Sequence, residues 1–531
     1  MRSALPAPFT LSVAPRSGAK SKGATALAFL LAGCSLAPRY ERPAPPVAEA
    51  FAAAAPTGAA AAPANVAPAD MGWRDVFADP RLRAIVALAL ENNRDLRVAA
   101  LNVELTRAQY RIQRAEELPA VAATATSTTA RTPADLSVTR TATTGTAYSV
   151  GLGLAAFELD LFGRVRSLSS AALEQYLQTE EARRSAHLSL VAAVATQYLS
   201  GRALEDQVAL AQRTLETVQA SLALAKRQYE GGRASELDLR TAETQVHTAR
   251  FNLSVAQQQR AQADNALVLL VGAPPPPYLP AGLPLDGQRF VEDLPAGLPS
   301  DVLQRRPDIL AAEHALLSAN ASIGAARAAF FPSISLTAFG GTSSADLSGL
   351  FGGGSGTWSF SPRITLPIFN GGALRAGLDV AEVRKSIQVA QYERAIQTGF
   401  REVSDALVAR AALGEQLQAE QARVAAEERR YHLSDLRYRT GIDSYLTVLT
   451  AQRDLFAAQQ QLIQTRLALL SNLVDLYRAL GGGWRERSGG AAAASASSPA
   501  PIRRSTPAAS AATPGPCIDA ATPGCSAASR S

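Results

Sequence analysis

Residues 229–237 read Tyr-Glu-Gly-Gly-Arg-Ala-Ser-Glu-Leu, and residues 438–446 read Tyr-Arg-Thr-Gly-Ile-Asp-Ser-Tyr-Leu. Tyrosine, glycine, serine and leucine recur in both stretches at an offset of 209 positions. Farther upstream, the residues Asp95, Arg114 and Pro119 match Asp308, Arg327 and Pro332 at an offset of 213. Ordered matches at nearly constant offsets indicate a duplication. The sequence therefore predicts two halves with one plan, residues 81–272 and 299–481.

Each half is predicted to contain a helix, two strands, a very long helix and a shorter returning helix. Residues 164–229 and 372–438 contain no proline, and helices of more than sixty residues span about 100 Å. The returning helices follow a heptad pattern, with leucine and valine at 239, 246, 448 and 455 opposite alanine at 242, 249, 451 and 458. Large residues facing small ones at heptad spacing are typical of close coiled-coil packing.

Strands are predicted where the apolar period changes from helical to two. Residues 334–338 and 358–366 alternate apolar and polar side chains, as do residues 149–154, whereas residues 121–129 show the pattern weakly. Pro362 interrupts the pattern of residues 358–366, because proline cannot donate a ladder hydrogen bond. Alternating segments of about ten residues are typical of transmembrane β-strands. Four strands cannot close a barrel alone, so several chains must share one, and three chains give twelve strands.

Composition and charge exclude other classes. The chain has 531 residues, of which 47% are hydrophobic and 6% aromatic, and no apolar run is long enough for a transmembrane helix. The net charge of +6 comes from residues 1–33 and from the tail 482–531, which carry +4 and +3 and leave −1 on the body. A nucleic-acid-binding protein concentrates positive charge on its folded part, so no nucleic-acid partner is expected. Residues 273–298 contain four consecutive prolines and form a stiff linker, and the Ala/Ser/Pro-rich tail is predicted to be disordered.

The N-terminus predicts export and a lipid anchor. Basic residues precede an apolar stretch at 24–32, which is followed by Gly33 and Cys34, as in a secretory signal. Leu31-Ala-Gly-Cys34 resembles the lipoprotein box, in which the cysteine becomes the lipidated first residue. We therefore assign 1–33 to the signal peptide, Cys34 to diacylglycerol and palmitoyl attachment, and 34–80 to an acylated linker. Ser35 in place of aspartate favours sorting to the outer membrane by the same resemblance.

No pattern in the sequence supports catalysis. Gly151-Leu-Gly153-Leu-Ala-Ala156 fits a loose dinucleotide-binding pattern but lacks the strand–turn–helix context that such a site needs. The four histidines are isolated, without the cysteine or carboxylate spacing of a metal site. We expect no enzyme activity, no cofactor and no metal site.

Long motifs reveal a family resemblance. They are Leu298-Pro-Ser-Asp-Val-Leu-Gln-Arg-Arg-Pro-Asp-Ile309, Ala326-Arg-Ala-Ala-Phe-Phe-Pro-Ser-Ile334, Leu366-Pro-Ile-Phe-Asn-Gly-Gly372 and Tyr477-Arg-Ala-Leu-Gly-Gly-Gly-Trp484. The chain resembles the TolC-like outer-membrane factors, in the lipoprotein (NodT-type) branch that serves resistance–nodulation–division (RND) efflux pumps. This resemblance implies a mainly α-helical chain with duplicated halves, which forms a homotrimer with a twelve-stranded β-barrel on an α-helical barrel. It also implies a mixed equatorial region that contains the linker.

The resemblance further implies passive export of drugs or other small molecules, with a periplasmic adaptor and an inner-membrane RND pump as partners. The adaptor would dock at the tip turns near Gly232 and Gly441. A periplasmic gate in this family typically uses a leucine and, one turn later, an aspartate. Leu446 matches the leucine and Thr450 occupies the aspartate position, with Leu237 and Thr241 as their repeat equivalents.

Two alternatives stay open from the sequence. One is an outer-membrane factor for metal-ion efflux or type I protein secretion, although the two methionines of the chain offer no methionine-lined route for soft metals. The other is a lipid-anchored coiled-coil periplasmic adaptor, which would carry one helical hairpin and no duplication.

Overall fold

The structure, a computed structural model, describes residues 36–51, 70–290 and 300–488. Within these ranges the chain forms eight α-helices and four β-strands. In chain order they are α1 (Trp73–Val76), α2 (Pro80–Asn92), α3 (Arg94–Ala115), β1 (Val121–Thr132), β2 (Thr143–Leu159), α4 (Arg164–Glu230), α5 (Glu236–Val271), α6 (Pro307–Ala328), β3 (Ser333–Ser344), β4 (Gly356–Thr365), α7 (Ala373–Arg439) and α8 (Tyr445–Ala479). The predicted duplication and the predicted order of helices and strands are confirmed.

Glycines with left-handed backbone angles mark both ends of the long helices. Gly163 and Gly372 precede α4 and α7 with φ of 76° and 89°. Gly232 and Gly441 follow them with φ of 68° and 77°. Residues with a Cβ atom rarely adopt these angles, so glycine is favoured at each point where the chain reverses. Each long helix contains 67 residues, which corresponds to a rod of about 100 Å.

The four strands form one antiparallel sheet in the order β1-β2-β3-β4. β1 and β2 pair from Val121–Leu154 to Thr132–Thr143, and β3 and β4 pair from Ser333–Thr365 to Thr342–Gly356. Sequence-adjacent strands are therefore neighbours throughout, and β2 joins the two halves by pairing with β3. Pro362 lies on β4, which is an edge strand among the described residues, and proline is tolerated at such edges.

The helices form rows of four at two levels. Next to the sheet, α4 contacts α3 and α6, and α6 contacts α7, which gives the order α3-α4-α6-α7. Farther from the sheet the order is α5-α4-α8-α7. We call α4 with α5 the first helical hairpin and α7 with α8 the second. Each row has two edges, formed by α3 or α5 on one side and by α7 on the other.

A compact apolar cluster lies around the end of the returning helices. It combines Trp73, Phe77 and Leu82 with Tyr198 and Leu199 of α4 and reaches Tyr477 of α8. The buried carboxylate of Asp79 fastens this region, because it accepts hydrogen bonds from Tyr198 Oη (2.8 Å), Leu283 N (2.9 Å) and Gln288 Nε2 (2.7 Å). The residues that follow the proline run of the linker are thereby held against α2 and α4.

Residues 72–75 and 485–488 meet beside this cluster. Trp73 N donates to Arg485 O (3.0 Å), and Ser488 N donates to Asp75 Oδ2 (2.6 Å). The sequence predicts that residues 482–488 belong to a disordered tail. The structure corrects this in part, because residues 485, 486 and 488 are hydrogen-bonded to residues 72–75. Local composition cannot predict this pairing, because the partners lie more than 400 positions apart.

None of the helices in the described ranges combines the length and the hydropathy needed to cross a membrane.

Candidate functional site

The strand register collects apolar side chains on one face of the sheet. Val121 and Ala123 of β1 lie beside Leu154 and Leu152 of β2, followed by Ala338 and Gly340 of β3 and by Phe360 and Trp358 of β4. Trp358, Phe360 and Ile364 expose 81%, 57% and 69% of their surface. This face is apolar and uncovered in the described protomer, which is unfavourable in contact with water.

The opposite face of the sheet carries mainly serine and threonine. Thr126 and Ser149 of neighbouring strands share a hydrogen bond of 2.6 Å there, and Ser359 and Ser361 of β4 alternate with the apolar residues of the first face. A sheet with one apolar and one hydroxyl-rich face suits a boundary between an apolar and an aqueous medium. Among the described strands, β1 and β4 each have a neighbour on one side, so two rows of backbone groups lack strand partners.

The two hairpin turns lie side by side at the ends of the helices. Tyr438 Oη donates to Gln228 Oε1 over 2.6 Å, which joins the end of α7 to the end of α4. Ala225, Ala242, Tyr445 and Val448 form a buried apolar cluster between the hairpins. Burial raises the pKa of Tyr445 to about 12, so this hydroxyl stays neutral. The structure places Gly232 and Gly441, the predicted tip residues, in these two turns.

The two turns are closed by different interactions. In the first hairpin, Ser235 and Asp238 form a capping box, in which Asp238 N donates to Ser235 Oγ over 3.2 Å. In the second hairpin, the Arg437 guanidinium donates to both carboxylate oxygens of Asp443, at 2.7 and 3.1 Å. The hydrogen bonds from Arg437 lower the pKa of the Asp443 carboxyl. The second turn therefore depends on an ion pair that the first turn lacks in the described chain.

The predicted gate residues form two matching pairs, each within one helix. Thr241 Oγ1 donates to Leu237 O over 2.7 Å, and Thr450 Oγ1 donates to Leu446 O over 2.9 Å. Leu237 and Leu446 expose 75% and 67% of their surface. Both leucines lie beyond the apolar cluster between the hairpins, so each side chain is available for contacts outside the protomer. Their role as a gate stays a prediction.

A segment that sequence reasoning missed lies along α6. We call residues 36–51 the N-terminal strap. Arg42 donates to both carboxylate oxygens of Glu313 at 2.8 Å, Tyr40 Oη donates to Glu313 Oε1 at 3.0 Å, and Asn320 Nδ2 donates to Pro38 O at 2.8 Å. The ring of Phe51 stacks on Phe400 with centroids 4.8 Å apart. Aromatic and charged residues at 40–42, within an Ala/Pro-rich stretch, were the available signal.

The strap begins close to the sheet. Arg327 Nη1 donates to Leu36 O, at 3.5 Å, and Arg327 lies at the end of α6, six residues before β3. Cys34, the predicted lipid attachment site, lies outside the described residues. The strap nevertheless begins beside the end of α6 that precedes the sheet, and it runs away from the sheet along α6.

Histidines occupy ordinary structural positions. His314 Nδ1 on α6 lies 2.6 Å from Glu174 Oε2 on α4, and this hydrogen bond raises the pKa of His314. Burial lowers the pKa of His187 to about 4, which keeps the ring neutral. Within the described ranges, no group of three or more metal-ligating side chains has a geometry suitable for a metal ion.

A family model described as outer membrane efflux protein matches residues 85–273 and 298–482, the two halves of the duplication. The chain belongs to the outer membrane efflux protein family. The toluene efflux pump outer membrane protein TtgC of Pseudomonas putida is 52% identical over 465 residues, which cover 87% of this chain and 95% of the relative. Outer membrane protein OprJ of Pseudomonas aeruginosa is 46% identical, with the same coverage of both chains.

Solved structures agree with this assignment. The open state of the Neisseria gonorrhoeae MtrE outer membrane channel is 44% identical, with a TM-score of 0.77 over 86% of this chain and all of that chain. The CusC structure, described in terms of transmembrane channel formation, is 41% identical with a TM-score of 0.75 over 85% of this chain and all of that chain. The predicted family, fold class, outer-membrane location and efflux function of this chain are thereby confirmed. The family consists of channels.

Proposed function

We propose that this chain forms the outer-membrane duct of a tripartite RND efflux pump, as a homotrimer that exports small organic molecules passively. The observation that carries the proposal is the pair of open edges in both layers of the protomer. The sheet ends at β1 and β4, and each helix row ends at α3 or α5 and at α7. Three copies joined edge to edge would pair all strand edges in a twelve-stranded barrel and continue each helix row into a closed tube.

Exposed apolar stripes on the edge helices support this assembly. None of the side chains of α3 is buried in the described protomer, and Val98, Leu101, Leu105 and Ile112 expose more than half of their surface at heptad-like spacing. On the other edge, Val383 and Val408 of α7 expose 58% and 59%. Apolar stripes at this spacing are the surfaces that helices pack against one another. A second copy would cover each stripe.

The strap supports a lipid anchor at Cys34. Leu36 lies beside the base of the sheet, and Cys34 precedes it by two residues, or about 7 Å of extended chain. Acyl chains on Cys34 would therefore reach the membrane in which the apolar sheet face is embedded. Two or more acyl chains give a stable anchor. The strap then lies on the outer surface of the trimer.

Partners and cargo follow from the family and from relatives. TtgC and the solvent efflux protein SrpC, 52% and 48% identical to this chain, are named for toluene and solvent efflux. By this similarity, the proposed cargo is small organic molecules, delivered by an inner-membrane RND pump through a periplasmic adaptor. We propose that the adaptor docks at the turns around Gly232 and Gly441, and that Leu446 and Thr450, with Leu237 and Thr241, line the periplasmic gate. Energy comes from the pump, so the duct needs no catalytic residue of its own.

One pair of measurements tests the proposal. Mass determination of the full chain purified in detergent should give three copies with acylated N-termini, and planar-bilayer recordings should show conductance. A conducting monomer would overturn the trimer, because four strands leave two open edges. A trimer that never conducts, even with the gate variant Leu446→Ala, would overturn the duct.

A further inference from the structure

A groove of about 940 Å³ runs along α6 between α4 and α7. Its floor consists of small side chains of α6, which are Ala311, Ala312, Ala315, Ser318, Ala319, Ser322, Ala325 and Ala326. Since no floor residue is larger than serine, the neighbouring helices rise above the floor on both sides. The volume is in the range of cavities that hold drug-sized molecules.

The walls of the groove are amphipathic. Leu168 of α4 and Val380 and Ile387 of α7 provide apolar contacts. The side chains of Val380 and Ile387 are about half exposed. Four glutamines stand along the walls, Gln175 and Gln178 on α4 and Gln388 and Gln391 on α7. Glutamine amides both donate and accept hydrogen bonds, so these walls can bind polar groups of either kind.

One charged residue lines the groove. Arg384 of α7 projects into it, and the lining includes no carboxylate. Among the described residues, Arg384 takes part in no hydrogen bond or ion pair, whereas Arg375 and Arg430 of the same helix pair with Asp379 and Glu427. The guanidinium therefore keeps its donors available, and its planar fork matches a carboxylate or sulfonate group.

The groove lies on the face of α6 opposite the strap. Glu313, which binds the strap, and Ser322, on the groove floor, are nine residues apart, and at about 100° per residue they point in opposite directions. If the strap lies on the outside of the trimer, as in the proposed function, the groove opens into the duct. This placement rests on that proposed function, whereas the chemistry of the groove does not.

From the small-residue floor, the glutamine walls and the unpaired Arg384, we infer that the groove binds amphipathic organic anions on the inner wall of the duct. The apolar body of such a molecule would lie on the alanine floor, and its acidic group would accept hydrogen bonds from Arg384. Cargo of this class would bind transiently to the inner wall of the duct during export.

Two probes of equal shape and different charge test the inference, 2-naphthalenesulfonate and its neutral analogue 2-naphthalenesulfonamide. Equilibrium dialysis against the purified full-length trimer should show tighter binding of the sulfonate. Arg384→Gln should weaken sulfonate binding about tenfold, since a hydrogen bond to a charged group is lost, and should leave sulfonamide binding unchanged. Lys385→Gln is the matched control, because the adjacent Lys385 does not line the groove. It should change neither affinity.

A second variant tests the location. Ala315→Phe places a large side chain on the groove floor and should weaken both probes, and a melting temperature close to that of the wild type would show that the trimer still folds. Equal sulfonate affinity of wild type and Arg384→Gln would overturn the inference, as would the absence of sulfonate binding to a trimer that conducts. A wild-type trimer that binds the sulfonate but does not conduct would instead overturn the proposed duct.

Discussion

The two helical hairpins share one plan but occupy different positions in the protomer. α4 of the first hairpin lies inside its row and is packed on both sides, by α5 and α8. α7 of the second hairpin lies at the edge of both rows. As a result α4 is buried at many positions along its length, whereas α7 is exposed along much of its surface. Position in the row, not sequence plan, decides how firmly each hairpin is held.

The two returning helices differ in the same direction. The buried residues of α5 are leucine, valine and alanine throughout. In α8, by contrast, Gln452, Thr465 and Asn472 are buried, and Asn472 Oδ1 has no hydrogen-bond partner among the described atoms. A buried polar atom without a partner costs free energy that an apolar residue would not. We therefore expect α8 to separate from its neighbours before α5 does.

The largest expected effect comes from the residue that joins the hairpins. Tyr445 is buried between them, and its repeat equivalent, Glu236, is exposed. Tyr445→Ala should destabilise the tip by about 3 kcal/mol, because a large aromatic side chain leaves a cavity. Hydrogen exchange of the amides near the tip measures this free energy. Glu236→Ala is the matched control and should change it by less than about 0.5 kcal/mol. Equal effects at the two positions would contradict the asymmetry.

The N-caps of the returning helices offer a second matched pair. Ser235→Ala should destabilise the start of α5 by about 1 kcal/mol, since it removes the capping box. Ser444→Ala should have a smaller effect on α8, because in the described chain the Ser444 side chain caps no backbone amide. Local hydrogen exchange at 236–240 and 445–449 distinguishes the two. A larger loss at Ser444 would reverse the predicted order.

The gate residues should change conductance with little change in stability. Leu446 is exposed in the protomer, so Leu446→Ala should alter the free energy of unfolding by less than about 0.5 kcal/mol. In planar bilayers it should raise the open probability, because an apolar constriction is widened. Thr450→Asp should raise cation preference, because a ring of carboxylates attracts cations. The same substitutions at Leu237 and Thr241 show whether both hairpins contribute. Unchanged conductance and selectivity in all four variants would place the gate elsewhere.

The smallest effect concerns acid. Asp443 has a lowered pKa, so its ion pair with Arg437 contributes stability above the ordinary aspartate pKa, and this contribution is lost as the pH falls through the lowered value. Protection factors at the second turn, which correct each exchange rate for its intrinsic pH dependence, should therefore fall below about pH 4 in the wild type. In Arg437→Gln they should already be lower at neutral pH and should change less on acidification. An identical pH profile in both proteins would show that the ion pair does not hold the turn.

Much of the fold follows from short-range sequence patterns. The turn glycines at 232 and 441, the stops at Pro119 and Pro332 and the alternation of residues 358–366 act over a few residues, and the structure has the corresponding turns, helix ends and strand. β1 was weakly patterned because alanine and threonine fill both of its faces. Its place depends on pairing with β2, which supplies the larger apolar residues.

The features that were missed depend on distant partners. Arg42 and Glu313 are separated by 271 positions, and no local period connects them. The same is true of residues 72–75 and 485–488, and of the groove, whose lining comes from three helices in both halves. The gate residues were named by resemblance, and the single protomer places them on exposed surfaces without showing what they face.

The two open edges of the sheet have a consequence for biogenesis. A strand edge bonds to whichever backbone it meets first, whether a sister copy or an unrelated unfolded chain. Under the proposed trimer, two events compete for each newly exported copy. It either pairs with two other copies of the same chain or is captured by an unrelated chain. Because the productive route needs three copies and capture needs one, the yield of functional ducts should rise faster than in proportion to the rate of synthesis when that rate is low. Scarcity, rather than instability of the finished trimer, would then limit how many ducts a cell can make.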